Sequence, residues 1–73
     1  MILGIILTPH VYDGVRKIKV ETVGLFTWFK GPYEIPATNE LFSEFDIDEL
    51  YSRGIPMSFH IDKEKLLAYQ DPQ

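Results

Sequence analysis

The apolar and polar positions of this chain divide it into short segments of different period. Ile2 to about Thr8 is an almost unbroken apolar run, as in a strand buried on both faces, although a run this short also suits a buried helix segment. Val15 to Phe29, VRKIKVETVGLFTWF, alternates as one long strand. Asp13-Gly14 lies between the two runs, and a two-residue type I′ turn needs the positive φ that these residues tolerate. Such a turn sets Tyr12 opposite Val15, so that paired residue numbers sum to 27. Leu7 then faces Val20 and Ile5 faces Thr22 on an apolar side. Thr8 faces Lys19 and His10 faces Lys17 on a polar side. Pro9 is the weak point of this register, because proline donates nothing to a ladder and needs an edge position or a bulge. The alternative is a longer loop over 8–14.

In the second strand Ile18, Val20 and Thr22 point one way, and Lys17, Lys19 and Glu21 the other. The phase breaks at Gly24. Beyond it Phe26 and Trp28 fall on one face and Leu25 and Phe29 on the other, and a bend there lets one strand serve two sheets. Lys30-Gly31-Pro32 ends the strand, and Glu34 to Thr38, with Pro36, reads as an irregular connection. Thr38 or Asn39 caps a short helical turn that carries Leu41, Phe42 and Phe45. Asp46 and Glu49 have the spacing of a capping box, Ile47, Leu50 and Tyr51 follow at helical spacing, and Gly54 sits where a left-handed cap belongs. This predicts a helix over 47–53. Met57 to Ile61 alternates as a strand with Met57, Phe59 and Ile61 inward. Lys65 to Tyr69 suits either a helix capped by Asp62 or a last strand paired through Asp62-Lys63-Glu64; the strand is the preferred reading. Asp71-Pro72-Gln73 reads as a frayed tail. The order is therefore β-β-α-β-β, a small single α+β domain spanning residues 1–73. It is either an antiparallel sheet or a partly closed SH3-like barrel with one short helix.

Size and composition narrow the picture. A chain of 73 residues makes one domain with a radius of gyration on the order of 11 Å, and such a domain buries only about 60% of its unfolded surface. The chain is 45% apolar and 14% aromatic, which favours an ordered core over a disordered peptide. The absence of cysteine removes disulfides and thiolate metal sites and fits a protein of a bacterial or viral-host cytoplasm. The apolar opening stops at Thr8-Pro9, too early for a signal-peptide core or for a bilayer span of about 20 residues, so a soluble chain is expected.

Charge is unevenly spread. Residues 1–32 carry four cations against two anions, and residues 33–73 carry three against nine, giving +2 and −6 within a net −4. Two electrostatically different faces follow. The overall acidity argues against duplex nucleic acid, whose binding rests on clustered Lys and Arg.

Candidate chemistry is sparse. His60 and Asp62 share a strand face, but a metal site needs three or four ligands and nothing in the pattern supplies the rest. Glu44, Asp46, Asp48 and Glu49 are plentiful carboxylates, yet acid–base catalysis needs a low-dielectric cleft that pushes their pKa values apart. No nucleophile elbow, phosphate-binding loop or dinucleotide fingerprint is present, so no enzyme and no cofactor are expected.

Two surfaces compete for a binding role. Arg16, Lys17, Lys19, Lys30 and Tyr33, with Phe26, Trp28 and Phe29, place cations beside aromatics, as a single-stranded nucleic-acid platform does. The plainer view makes the aromatics core and the lysines a solubilising face. The segment Glu40 to Glu49 carries more apolar residues than one short helix needs, and an apolar patch rimmed by acids is the form of a protein-binding surface. Its plainer view is a solvated helix face. The reading taken from the sequence is a non-enzymatic protein-binding module: an inhibitor, regulator or assembly subunit of the size and composition that phages and mobile elements often encode. Its surface centres on Phe42, Phe45 and Tyr51, with Glu44, Asp46, Asp48 and Glu49 around them. The alternatives are the nucleic-acid binder and a homo-oligomer that pairs an exposed edge of strand one or of the last strand.

Overall fold

A computed structural model describes residues 1–23 and 33–68. They form a four-stranded antiparallel sheet, β1 (Ile2–Tyr12), β2 (Val15–Thr22), β3 (Tyr33–Pro36) and β4 (Met57–Asp62), in the order β3-β2-β1-β4. A 3₁₀ helix (Glu40–Glu44) and two α-helices, α1 (Ile47–Arg53) and α2 (Lys63–Ala68), complete the chain order. The radius of gyration, 11.6 Å, is that of a fully collapsed chain of this length. Among the described residues no helix is long and apolar enough to cross a membrane.

The turn at Asp13-Gly14 has φ of 52° and 78°, the double positive φ of a type I′ loop. It sets the expected register, with Leu7 opposite Val20 and His10 opposite Lys17. The register also accommodates Pro9. Counting from the tight turn, Tyr12 and Val15 form a hydrogen-bonded pair, so Pro9 and Ile18 form a non-bonded one. The position of the missing N–H therefore points away from β2, toward β4. But β4 pairs with β1 only as far as Leu7–Met57, so no partner stands there among the described residues. The proline costs the sheet nothing, and β1 runs four residues past Thr8.

Alternation then divides the sheet. Ile5, Leu7, Ile18, Val20 and Ile61 point to one face and are buried with Leu41, Phe42, Leu50 and Leu66 of the helical layer. The other face carries Ile2, Ile6, Thr8, His10, Tyr12, Lys17, Lys19, Glu34, Ser58 and His60, and no described helix covers it. The architecture is a two-layer open sheet with helices on one side. Barrel closure is not seen among the described residues. The expected bend at Gly24 and the aromatics Phe26, Trp28 and Phe29 lie outside them.

The helix over 47–53 forms as the capping pattern predicts. Asp46 Oδ1 accepts from the Glu49 N–H at 3.0 Å, and Gly54, at φ 69°, donates its N–H to the Leu50 carbonyl at 3.0 Å. Only half of the capping box is made, because the Glu49 carboxylate turns to Arg53 Nε at 2.9 Å, one helical turn on. Asn39 caps the 3₁₀ turn by accepting from the Leu41 N–H at 2.8 Å.

Two expectations are corrected. The segment 34–38 is not wholly irregular, since Tyr33–Pro36 pairs with β2. Pro36 is tolerated because Ala37 N–H bonds Arg16 O, which puts odd residues of β3 toward β2 and leaves Pro36 facing the outer edge. The segment after β4 is helix rather than strand. Asp62 Oδ1 accepts from the Glu64 N–H at 2.9 Å, and Lys63-Glu64-Lys65 are good helix formers with no glycine to make a three-residue hairpin loop. One turn of helix suffices to drop Leu66 into the core while Leu67 stays half-buried. Leu66→Ala is therefore expected to cost about 2–5 kcal/mol in urea denaturation, and Leu67→Ala distinctly less. Equal losses would mean that this segment does not pack as a helix.

Candidate protein-binding surface

The acidic segment sits on the core side of the sheet, and packing sorts its residues. Phe42, expected at the centre of a partner surface, is 2% exposed and part of the core. That is a correction: a residue held among Leu41, Leu50 and the sheet is not free to meet a partner. Phe45 is half-buried, with its ring 4.9 Å from that of Phe59 at a tilt of 55°. Tyr51 is also half-buried. What remains outside is carboxylate. Asp48 is 92% exposed at its side chain, and Glu44, Asp46 and Glu49 are exposed too.

Each of these acids has a local task. Glu44 pairs with Lys65 and so ties the 3₁₀ turn to α2. Asp46 caps α1 and Glu49 pairs with Arg53 along it. Asp48 Oδ1 accepts from Arg16 Nη2 at 3.2 Å. Exposed pairs of this kind contribute at most about 1 kcal/mol each. They fix where the charges stand more than they stabilise the fold.

Arg16 and Tyr51 join the hairpin to α1. The Arg16 guanidinium lies 4.1 Å from the centroid of the Tyr51 ring. Its Nη2 also reaches the Ile47 carbonyl at 3.5 Å. The Tyr51 hydroxyl donates to the Lys17 carbonyl and, at 3.3 Å, to the His10 carbonyl. Those two carbonyls belong to one ladder pair, so a single side chain of α1 grips both strands at the same level. Burial raises the Tyr51 pKa above its ordinary 10.0, against the opposing influence of the His10 carbonyl contact and of the Arg16 charge. A shallow depression of about 430 Å³ opens beside this contact, between Val15, Pro36, Ala37 and Ile47, with Arg16 and Asp48 on its lining.

The residues of the alternative nucleic-acid surface do not share a face. Arg16 lies on the helix side, over Tyr51. Lys17 and Lys19 lie on the uncovered side, where Lys17 Nζ is 5.9 Å from the Tyr12 ring centroid and Lys19 Nζ is 4.0 Å from Glu21 Oε1. Tyr33 packs against the core cluster, and Lys30 lies outside the described residues. The His10 ring, paired with Glu34 on the uncovered face, spans from β1 across β2 to β3; only the register makes that contact visible. His60 and Asp62 share a face as expected, and among the described residues no three metal-ligating side chains come together.

The chain matches no protein-family model, no curated protein and no solved structure.

Two outcomes follow for the aromatics. Phe42→Ala is expected to cost about 3–5 kcal/mol of stability, read by chemical denaturation, as a core residue does. Tyr51→Phe is expected to cost about 1 kcal/mol, because both carbonyls keep their ladder bonds. The raised Tyr51 pKa adds a pH signature. The folded state holds the phenolic proton more tightly, so its contribution is complete below pH 10 and is lost as pH rises through the folded-state value. The stability difference between the native chain and Tyr51→Phe should therefore shrink above pH 10. A constant difference across that range would place the hydroxyl in water in the folded state.

Proposed function

We propose that this chain is a non-enzymatic protein-binding module, an inhibitor, regulator or assembly subunit, that presents its acidic helical layer to a basic surface on a partner protein. One observation supports this reading above the others. Along 40–49 the apolar side chains Leu41, Phe42, Phe45 and Ile47 turn toward the core, and the carboxylates of Glu40, Glu44, Asp46, Asp48 and Glu49 stand outside. Capping bonds and ion pairs hold these groups on short rigid elements, so the charges form a fixed pattern rather than a mobile tail. Pre-placed charge of one sign accelerates association with a complementary surface and selects against wrong partners. The contact is thus made mainly by charge, with Tyr51 and Phe45 as its supports and not its anchors.

The test compares proteins retained from a bacterial lysate by the native chain and by a Glu44→Gln/Asp48→Asn double variant, over a salt series. The reading expects a basic partner that the native chain retains at low salt, that is released above roughly 0.15 M, where the screening length falls to about 8 Å, and that the variant binds at least tenfold more weakly. A partner held equally by both chains at all salt concentrations would remove the acidic layer from the interface.

A further inference from the structure

The edges of the sheet are treated unequally. On β3 the outward-facing backbone positions are Glu34 and Pro36. The first places a charge on the edge, and the second has no N–H to offer and has its carbonyl occupied by the Asn39 N–H at 3.0 Å. The overhang of β1 beyond β4 is interrupted by Pro9. These are the devices that keep a strand from pairing with a foreign one. β4 lacks the proline, and its one outward charge, Asp62, is the last residue of the strand, where it caps α2. Lys63 N–H bonds Met1 O, so the odd residues of β4 face β1, and the backbone groups of Ser58, His60 and Asp62 face outward. Among the described residues no strand pairs with Ser58 and His60, while the Asp62 carbonyl is taken by the first turn of α2. Neither proline nor lysine interrupts the six residues of this strand.

We infer that β4 is a self-association edge, which pairs antiparallel with β4 of a second copy about a two-fold axis at His60. The choice of occupant rests on self-complementarity. With His60 opposite itself, Ser58 falls opposite Asp62 of the second copy, a hydroxyl beside a carboxylate. On the core side Phe59 falls opposite Ile61 of the second copy, and both are apolar. No like charges stand directly opposite while the imidazoles are neutral. The pair 60–60 supplies two main-chain hydrogen bonds, and the pairs 58–62 and 62–58 one each from the Asp62 N–H, roughly four in all. The two-fold axis runs perpendicular to the sheet, so the product is a continuous eight-stranded sheet with all helices on one face and the acidic layers side by side. Edge pairing of this kind buries a modest area, so the dimer is a weak one. This inference does not depend on the acidic layer as partner surface, since it uses a different edge of the molecule and a different experiment.

The chain has no cysteine, so a single introduced thiol reports the register. Opposed residues of a hydrogen-bonded pair have Cα atoms about 5.5 Å apart, within disulfide range. Under mild oxidation His60→Cys is expected to form a disulfide-linked dimer. Ser58→Cys alone and Asp62→Cys alone are expected to stay largely monomeric, and an equal mixture of those two variants to cross-link. Sedimentation equilibrium should show the native chain moving toward twice its monomer mass as concentration rises. His60→Pro, which removes an outward N–H and no internal one, should weaken that association at least tenfold while the far-ultraviolet dichroism still reports the fold. A native mass fixed at one chain at every concentration overturns the inference and leaves the edge to a foreign strand. Equal cross-linking by all three single variants overturns the register.

Discussion

The two-residue turn at Asp13-Gly14 is the constraint on which the remaining structure depends. Its length fixes the parity of the hairpin, and parity decides everything that alternates. It sends Ile5, Leu7, Ile18 and Val20 to the core side together. It puts the missing N–H of Pro9 where no described strand needs it. It also determines, through β2, which residues of β3 face outward. A turn one residue longer would exchange the two faces of one strand, bringing the lysines of β2 under the helices and moving Ile18 and Val20 into water. Fully burying a side chain of that kind is worth roughly 1.5–3 kcal/mol, so the wrong parity would cost more than a domain this small has to lose.

The helical layer is attached to this frame by small, separate devices. Leu50 and Leu66 give each α-helix one fully buried side chain, and Leu41 and Phe42 do the same for the 3₁₀ turn. Helices of six and seven residues do not persist alone in water. Their caps at Asp46, Gly54 and Asp62 therefore matter, and so does the Arg16–Tyr51 contact that ties α1 to both strands of the hairpin. The acidic surface inherits its rigidity from these attachments.

Much of the frame was legible in the sequence because it is written in local chemistry. The hairpin register, α1 with both its caps, the Asn39 cap and the inward face of β4 each follow from residues within a few positions of one another. The misread segments required non-local information. Pro36 looked like a break because its tolerance depends on which side of β3 lies against β2. Leu66-Leu67 suited strand or helix until the space above the sheet selected helix. The candidate site was legible in part. The outward placement of the acids was legible from their charge, but Phe42 was assigned to the surface because composition cannot distinguish a surplus aromatic from a core one. Arg16 was grouped with Lys17 and Lys19 by sequence proximity, although alternation sends it to the other face. The His10–Glu34 pairing had no local signal, and reading 34–38 as an irregular connection removed the strand that brings Glu34 to it.

The central strand has neighbours of very different origin. β2 reaches β1 through a two-residue turn, whereas Met57 and Asp62 of β4 lie 50 and 60 residues along the chain from their partners Leu7 and Ile2. Loop closure over such a distance is entropically costly and comes late in folding. During synthesis the hairpin therefore stands for some time with one side of β1 unpaired, and that side belongs to the most apolar run of the chain. Pro9 then acts as a gatekeeper in time as well as in space. It truncates the interval over which a nascent neighbour can zip onto β1 before β4 emerges to claim it.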